Sequence, residues 1–235
     1  MLPLLSAPYA RAGESARRGM RAMLTYNRWA IGLAFCLSGL AGYIDTIGFI
    51  SLGGFFVSFM SGNTTRLGIE LAGLKGGGIA TAALILVLFV LGVICGSVAG
   101  HFGGRRRKSA VLWVVALALA VAASLDQIGL SFAGAAMLAF AMGAENGVFQ
   151  RDGEVTIALT YMTGTLVKMG QRMAGALLGG PKLAWVRHFL LWIGLLTGCI
   201  NGAVAHYLVG QGAVWLAALA AAIFALALPF LPLDD

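Results

Sequence analysis

Eight apolar stretches run through this 235-residue chain, at roughly 30–50, 55–74, 79–102, 110–125, 132–150, 155–177, 187–208 and 212–231. About 20 apolar residues suffice to cross the hydrocarbon core of a bilayer. Inside that core every backbone polar group must be satisfied within the chain, so segments of this kind are read as helices. The surface argument agrees. Only 11% of residues are charged and 60% are apolar, whereas a soluble domain carries about 25% charged residues. So little charge cannot cover a water-facing surface. The chain is therefore read as an all-α integral membrane protein. A soluble enzyme, a disordered tail, a disulfide scaffold and a nucleic-acid binder are excluded. Cys36, Cys95 and Cys199 all lie inside apolar runs, which gives no support to a disulfide or a zinc site.

The net charge of +7 is concentrated in two places. Residues 1–28 hold five arginines and no apolar core ahead of a cleavage site, so they read as a cytoplasmic leader. Arg105, Arg106, Arg107 and Lys108 form the second cluster. Such clusters report membrane orientation.

The chain also repeats itself. SFMSGNTTRLGIELAG at 58–73 aligns with TYMTGTLVKMGQRMAG at 160–175, so that Met60, Gly62, Gly68, Ala72 and Gly73 recur as Met162, Gly164, Gly170, Ala174 and Gly175. Arg66 becomes Lys168. Upstream, Asp45 and Phe49 fall opposite Glu145 and Phe149. Downstream, His101 pairs with His206 and Trp113 with Trp215. Matched polar residues at matched places point to a duplication, with repeat 1 at 29–128 and repeat 2 at 129–235.

Basic residues choose between two topologies. If all eight segments span, inner loops hold 8 basic residues and outer loops 5, with the RRRK cluster outside. If the second segment of each repeat enters and leaves on one side, the counts become 12 inside and 1 outside. The second arrangement obeys the positive-inside rule. It predicts six spanning helices, two broken or re-entrant segments at 55–74 and 155–177, and both termini in the cytoplasm. Three spans per repeat also place the halves in opposite orientations, an inverted repeat of the kind transporters use.

The string GLAGYIDTIGFISLGGFFVSFMSGNTTRLG at 39–68 resembles the YoaK family of bacterial inner-membrane proteins. The resemblance rests on Gly42, Asp45, the Gly53–Gly54 turn and Ser61-Gly62-Asn63, with Ser61 standing where threonine is expected. It implies a small polytopic protein of the bacterial inner membrane. It implies no activity, because the family is one of unknown function.

Ionisable groups within spans are costly, at about 2.5–3.5 kcal/mol on insertion scales, and mark functional candidates. Asp45 and Glu145 are the acidic candidates, read as an ion-coupling pair; the alternative for Asp45 is a carboxylate bonded to helix ends. Gly62 and Gly164 are read as helix breaks, with helices restarting at Asn63 and Thr165. Two helix amino termini, with Arg66 and Lys168 just inside them, would then suit an anionic or zwitterionic solute. Asn63, Thr64, Thr163 and Thr165 would orient it. The competing reading pairs Arg66 with Glu70 or Asp45. His101 and His206 lack the further ligands a metal site needs and read as interfacial. Five tryptophans near segment ends fit an aromatic belt.

No HExxH, GxSxG or phosphate-loop motif occurs, so no enzyme and no cofactor are expected. The expected function is a secondary transporter or channel for a small polar solute, driven by an ion gradient and sited between the two glycine breaks. A membrane scaffold or regulator without flux is the alternative. The expected partners are the bilayer, the solute or ion, and a second copy of the chain in a homodimer.

Overall fold

A computed structural model describes residues 28–151, 154–155 and 159–231. The leader at 1–28 lies, but for its last residue, outside the described residues. Among the described residues eight α-helices follow one another: α1 (Arg28–Ser51), α2 (Met60–Ala72), α3 (Gly76–Phe102), α4 (Arg107–Gln127), α5 (Ser131–Glu145), α6 (Met162–Leu177), α7 (Val186–Val209) and α8 (Ala213–Ala227). A two-residue antiparallel ladder pairs Gln150 with Val155 and Arg151 with Glu154. Short 3-10 turns, among them Asn146–Phe149 after α5, finish several helices.

Among the described residues, six helical stretches are long and apolar enough to cross a membrane: Trp29–Ser51, Gly76–Phe102, Gly104–Gln127, Ser131–Phe149, Val186–Val209 and Ala213–Phe230. The two remaining helices, α2 and α6, have 13 and 16 residues. At 1.5 Å per residue they reach only about 20 and 24 Å, short of the ~30 Å hydrocarbon core. Six spans and two shorter elements thus come out of the eight apolar stretches. The outer faces suit lipid: Val87, Val90, Leu91, Ile94 and Val98 of α3 are all about half exposed or more. A soluble protein does not display a contiguous apolar stripe of that size.

The packing crosses between repeats. α1 lies along α7, α5 lies along α3, and α4 lies along α8. The short helices α2 and α6 each lie against the span that follows, α3 and α7. Small residues make the crossings possible. A Cβ on Gly92 or Gly96 would run into the backbone of Phe140 or Ala144 on α5, and one on Gly194, Gly198 or Gly202 would run into Phe35, Gly39 or Tyr43 on α1. These glycines recur 102 residues apart, at 92 and 194, 96 and 198, 100 and 202. Close backbone approach of this kind substitutes for the hydrophobic drive that is missing between helices in lipid. Hydroxyls add links between spans: Ser38 Oγ donates to Leu191 O (2.9 Å) and Tyr43 OH to Ala213 O (2.8 Å).

The interruptions fall elsewhere than expected. α2 starts at Met60 and α6 at Met162, so Gly62 and Gly164 lie in the first helical turn rather than at a break, and the helices do not restart at Asn63 and Thr165. The irregular chain is residues 52–59 in repeat 1. It is turned by Gly53 and Gly54, whose φ values of +62° and +93° suit glycine. The two later glycines have another cause. The aromatic N-cap residues, Phe59 and Tyr161, fold their rings over the first turn, and a Cβ on Gly62 or Gly164 would meet that ring.

Candidate functional site

After Ser51 the chain turns back along α1. Asp45 Oδ1 accepts from the backbone amides of Val57 (2.9 Å) and Ser58 (2.7 Å). Asp45 lies six residues before the end of α1, so the loop descends by about 9 Å beside the helix. Val57 is fully buried against Gly48. α2 then runs back to α3, where Glu70 lies over Gly78. Asn63, also fully buried, clamps the same loop from the other side: its Nδ2 donates to Phe56 O (2.6 Å) and its Oδ1 accepts from Phe56 N (3.0 Å). Arg66 closes the assembly. Its guanidinium donates to Gly54 O and Gly53 O and stands 4.4 Å over the Phe55 ring.

The second repeat uses the same plan with different chemistry. Asn146 Oδ1 accepts from Thr160 Oγ1 (3.1 Å), and Asn146 Nδ2 donates to Met142 O (2.9 Å). Ser58 and Thr160 each stand one residue before the aromatic N-cap, so the structural counterpart of Asp45 is Asn146. The expected pairing of Asp45 with Glu145 is off by one residue. Helical geometry is the reason: one step around a helix is 100°. It carries Glu145 away from the loop and into the bundle. Its side chain is fully buried, and neither carboxyl oxygen has a hydrogen-bond partner. Arg107 Nε is the other buried side-chain polar atom in that condition among the described residues.

The expected solute ligands do not converge. α2 and α6 pack on different spans. Arg66 bonds the loop carbonyls and not an incoming anion, in place of either carboxylate weighed for it. Lys168 and Thr163 are exposed on α6. Thr64 is exposed and returns its hydroxyl to Met60 O, while the buried Thr165 returns its own to Tyr161 O. Such back-bonding satisfies a hydroxyl within its own helix. Among the described residues no group of three or more His, Cys, Asp or Glu could hold a metal ion.

Two cavities mark opposite ends of the α4–α8 pair. One, of about 220 Å³, is lined by Arg105, Arg106 and Lys108 with Leu228 and Pro229. The other, of about 240 Å³, opens between α1, α4, α5, α7 and α8 and carries Ser51, Asp126, Ser131 and His206. No motif or repeat singles out Asp126 in the sequence, and the spacing of His206 alone suggests only an interfacial histidine. Their convergence comes from helix ends that are far apart in the chain.

A family model described as "Protein of unknown function (DUF1275)" matches residues 33–227. A "UPF0700 transmembrane protein" of Rhizobium meliloti (strain 1021) is 34% identical over 205 residues, covering 86% of this chain and 88% of its own. No solved structure matches the chain. With six helices long enough to span and a transmembrane relative along most of its length, this multi-pass membrane protein belongs to the DUF1275 family, in agreement with the YoaK resemblance of its 39–68 segment.

Proposed function

We propose that this protein is a secondary transporter or channel for a small polar solute, with Glu145 as its ion-coupling carboxyl. The observation that carries the reading is the state of Glu145: fully buried, both oxygens without a partner, at the point where α5 gives way to a 3-10 turn. An ionisable group is expensive at such a place, and one inside a membrane span faces a path or a relay by default. Without an HExxH, GxSxG or phosphate-loop motif in the sequence, transport is favoured over an enzymatic reading. The solute class stays at small and polar, because Arg66 is committed to the loop and Lys168 faces outward.

An inverted repeat is the architecture we infer. Three things support it: the 12-to-1 distribution of basic residues, the reciprocal packing of α1 on α7 and α5 on α3, and the loop that doubles back along α1 before a helix too short to cross. In this arrangement α2 and α6 are re-entrant from opposite sides, and both termini and the Arg105–Lys108 loop are cytoplasmic. The membrane is the inner membrane of a bacterium.

Purified protein in liposomes tests the function. A pH gradient across the vesicle should drive uptake from a panel of small polar solutes, with proton movement followed by an internal dye. Glu145→Gln should abolish the coupling while the protein stays folded. Vesicles as tight to protons and to every solute as empty ones would remove the transporter reading and leave a scaffold.

A further inference from the structure

The 240 Å³ cavity and Glu145 share one face of α5. Ser131, Gly134, Ala135 and Leu138 line the cavity. Continuing at the helical spacing of three and four residues, the same face carries Met142 and then Glu145. The opposite face is occupied, since Phe140 and Ala144 meet Gly92 and Gly96 of α3. The cavity side of α5 therefore looks toward α1 and α4, which supply Ile47, Ser51, Ala122 and Asp126 to the walls. Leu138 forms the floor, and Glu145 lies seven residues, or about 10 Å, below it. Leu138, Met142 and the small Ala141, all almost wholly buried, stand between on this face.

We propose that this cavity is the vestibule through which protons reach Glu145 from the Ser51 side, with Leu138 and Met142 as the closed apolar section between them. The proposal rests on the reading of Glu145 as the coupling carboxyl and adds its access route. The proton is the cation that fits, because hard metal cations such as calcium and magnesium take about six or more oxygens, and among the described residues no group of three or more His, Cys, Asp or Glu comes together around Glu145 or elsewhere. The ionisable groups of the vestibule are Asp126 of α4 and His206 of α7. The one acidic group of α1, Asp45, is held by the Val57 and Ser58 amides. α8 contributes no ionisable residue; Arg107, Lys108, Arg187 and His188 stand at the ends of α4 and α7 away from the vestibule, Arg107 and Lys108 at the same end of the α4–α5 pair as Glu145.

The test is accessibility, which needs no transported solute. In protein with Cys36, Cys95 and Cys199 replaced by serine, single cysteines are introduced by Ala135→Cys, Leu138→Cys, Met142→Cys and Ala136→Cys, the last on the opposite face of α5. A membrane-impermeant thiol reagent is applied from either side of oriented vesicles. Leu138→Cys should react from the Ser51 side at least about tenfold faster than Ala136→Cys, equivalent to about 1.4 kcal/mol in barrier. Met142→Cys should react slowly, and faster when combined with Leu138→Ala. A water-soluble carbodiimide should likewise modify Glu145 faster in Leu138→Ala than in the parent. Reaction of Leu138→Cys no faster than Ala136→Cys, or only from the Arg105 side, overturns the route. A variant that does not fold is seen by its elution profile, and Ala135→Cys, which changes least, then decides. Loss of coupled flux in Glu145→Gln with no labelling at 135 or 138 keeps the function and removes the route. Labelling from the Ser51 side in protein that carries no flux removes the function, and with it any route to a coupling carboxyl.

Discussion

The two loops that precede α2 and α6 are built on one plan and differ in one residue's chemistry. In the first repeat the residue facing the returning chain is Asp45, and two backbone amides satisfy one carboxylate oxygen. In the second it is Asn146, which donates to one partner and accepts from another. An amide serves this place without a charge. The acidic residue of the second repeat stands one position earlier, at Glu145, and that single step turns it from the loop into the bundle interior. α5 is also more enclosed than α1: 78% of its best spanning window is buried, against 56% for α1. The same residue class is thus a structural link in one repeat and an unpartnered buried group in the other. Acidity alone does not assign a role; the register of the carboxyl against the returning loop does.

The largest expected effect separates these two carboxyls by sign. Asp45→Ala strands two amides at once, and hydrogen bonds to a charged group contribute about 1.5–3 kcal/mol each. A drop in thermal stability of about 3 kcal/mol or more is expected, with reduced folded yield. Glu145→Met removes a buried polar group that has no partner and replaces it with an apolar one of similar length. Such a change is neutral or stabilising by about 1–3 kcal/mol, the cost of leaving a buried polar group unpaired. Thermal unfolding in detergent, followed by size-exclusion fluorescence, reads both. Equal destabilisation by the two variants would mean that Glu145 is held by partners as Asp45 is, and the contrast between the repeats would collapse.

The second contrast is Asn63 against Thr165. Asn63 bonds Phe56 in both directions, so Asn63→Ala leaves a half-buried donor and a half-buried acceptor of the loop unmet, at about 1–3 kcal/mol. Thr165 bonds only Tyr161 O within its own helix, and Thr165→Ala should cost less than about 1 kcal/mol, since the interior of a helix favours alanine. The cations follow suit. Arg66→Gln gives up its reach to the Gly53 and Gly54 carbonyls and its place over Phe55, for a loss of about 1–2 kcal/mol. Lys168→Gln, on an exposed position, should stay within about 0.5 kcal/mol. Protease resistance of the 52–59 loop gives a second readout, falling for Asn63→Ala and Arg66→Gln alone.

The eight elements and the six spans were legible because hydropathy and helix length state them directly, residue by residue. The alignment that matched Met60 with Met162 also located the short helices. Three things were not legible. A glycine in a polar string looks the same whether it breaks a helix or seats a ring, and only the position of Phe59 and Tyr161 over Gly62 and Gly164 decides. The pairing of Asp45 with Glu145 failed because gaps in an alignment shift by one residue at no cost, whereas a helix turns 100° for each. Asp126 and His206 come together from the ends of α4 and α7, and their separation of eighty residues carries no local signal. The glycines at 92 and 96, repeated at 194 and 198, are a signal of the crossing helices that the repeat alignment left unused.

The smallest expected effect concerns the ring-seating glycines. Alanine is favoured over glycine inside a helix by about 1 kcal/mol, and both Gly62 and Gly164 are helical. Against that gain, the added methyl meets the Phe59 ring in repeat 1 and the Tyr161 ring in repeat 2. The two rings differ in freedom. Tyr161 is 69% exposed and can swing away, whereas Phe59 is 39% exposed and packs edge-on against Phe56, which itself lies against Phe49. Gly164→Ala should therefore be neutral or stabilising by up to about 1 kcal/mol, and Gly62→Ala neutral or destabilising by a similar amount. A double-mutant cycle isolates the cause. Adding Phe59→Ala should turn Gly62→Ala from a loss into a gain, while adding Tyr161→Ala should leave Gly164→Ala unchanged, because coupling survives only between groups in contact. If Gly62→Ala destabilises equally with and without the Phe59 ring, the methyl is meeting something other than that ring, and the Phe56 ring, 3.1 Å from the added carbon, is the obstacle.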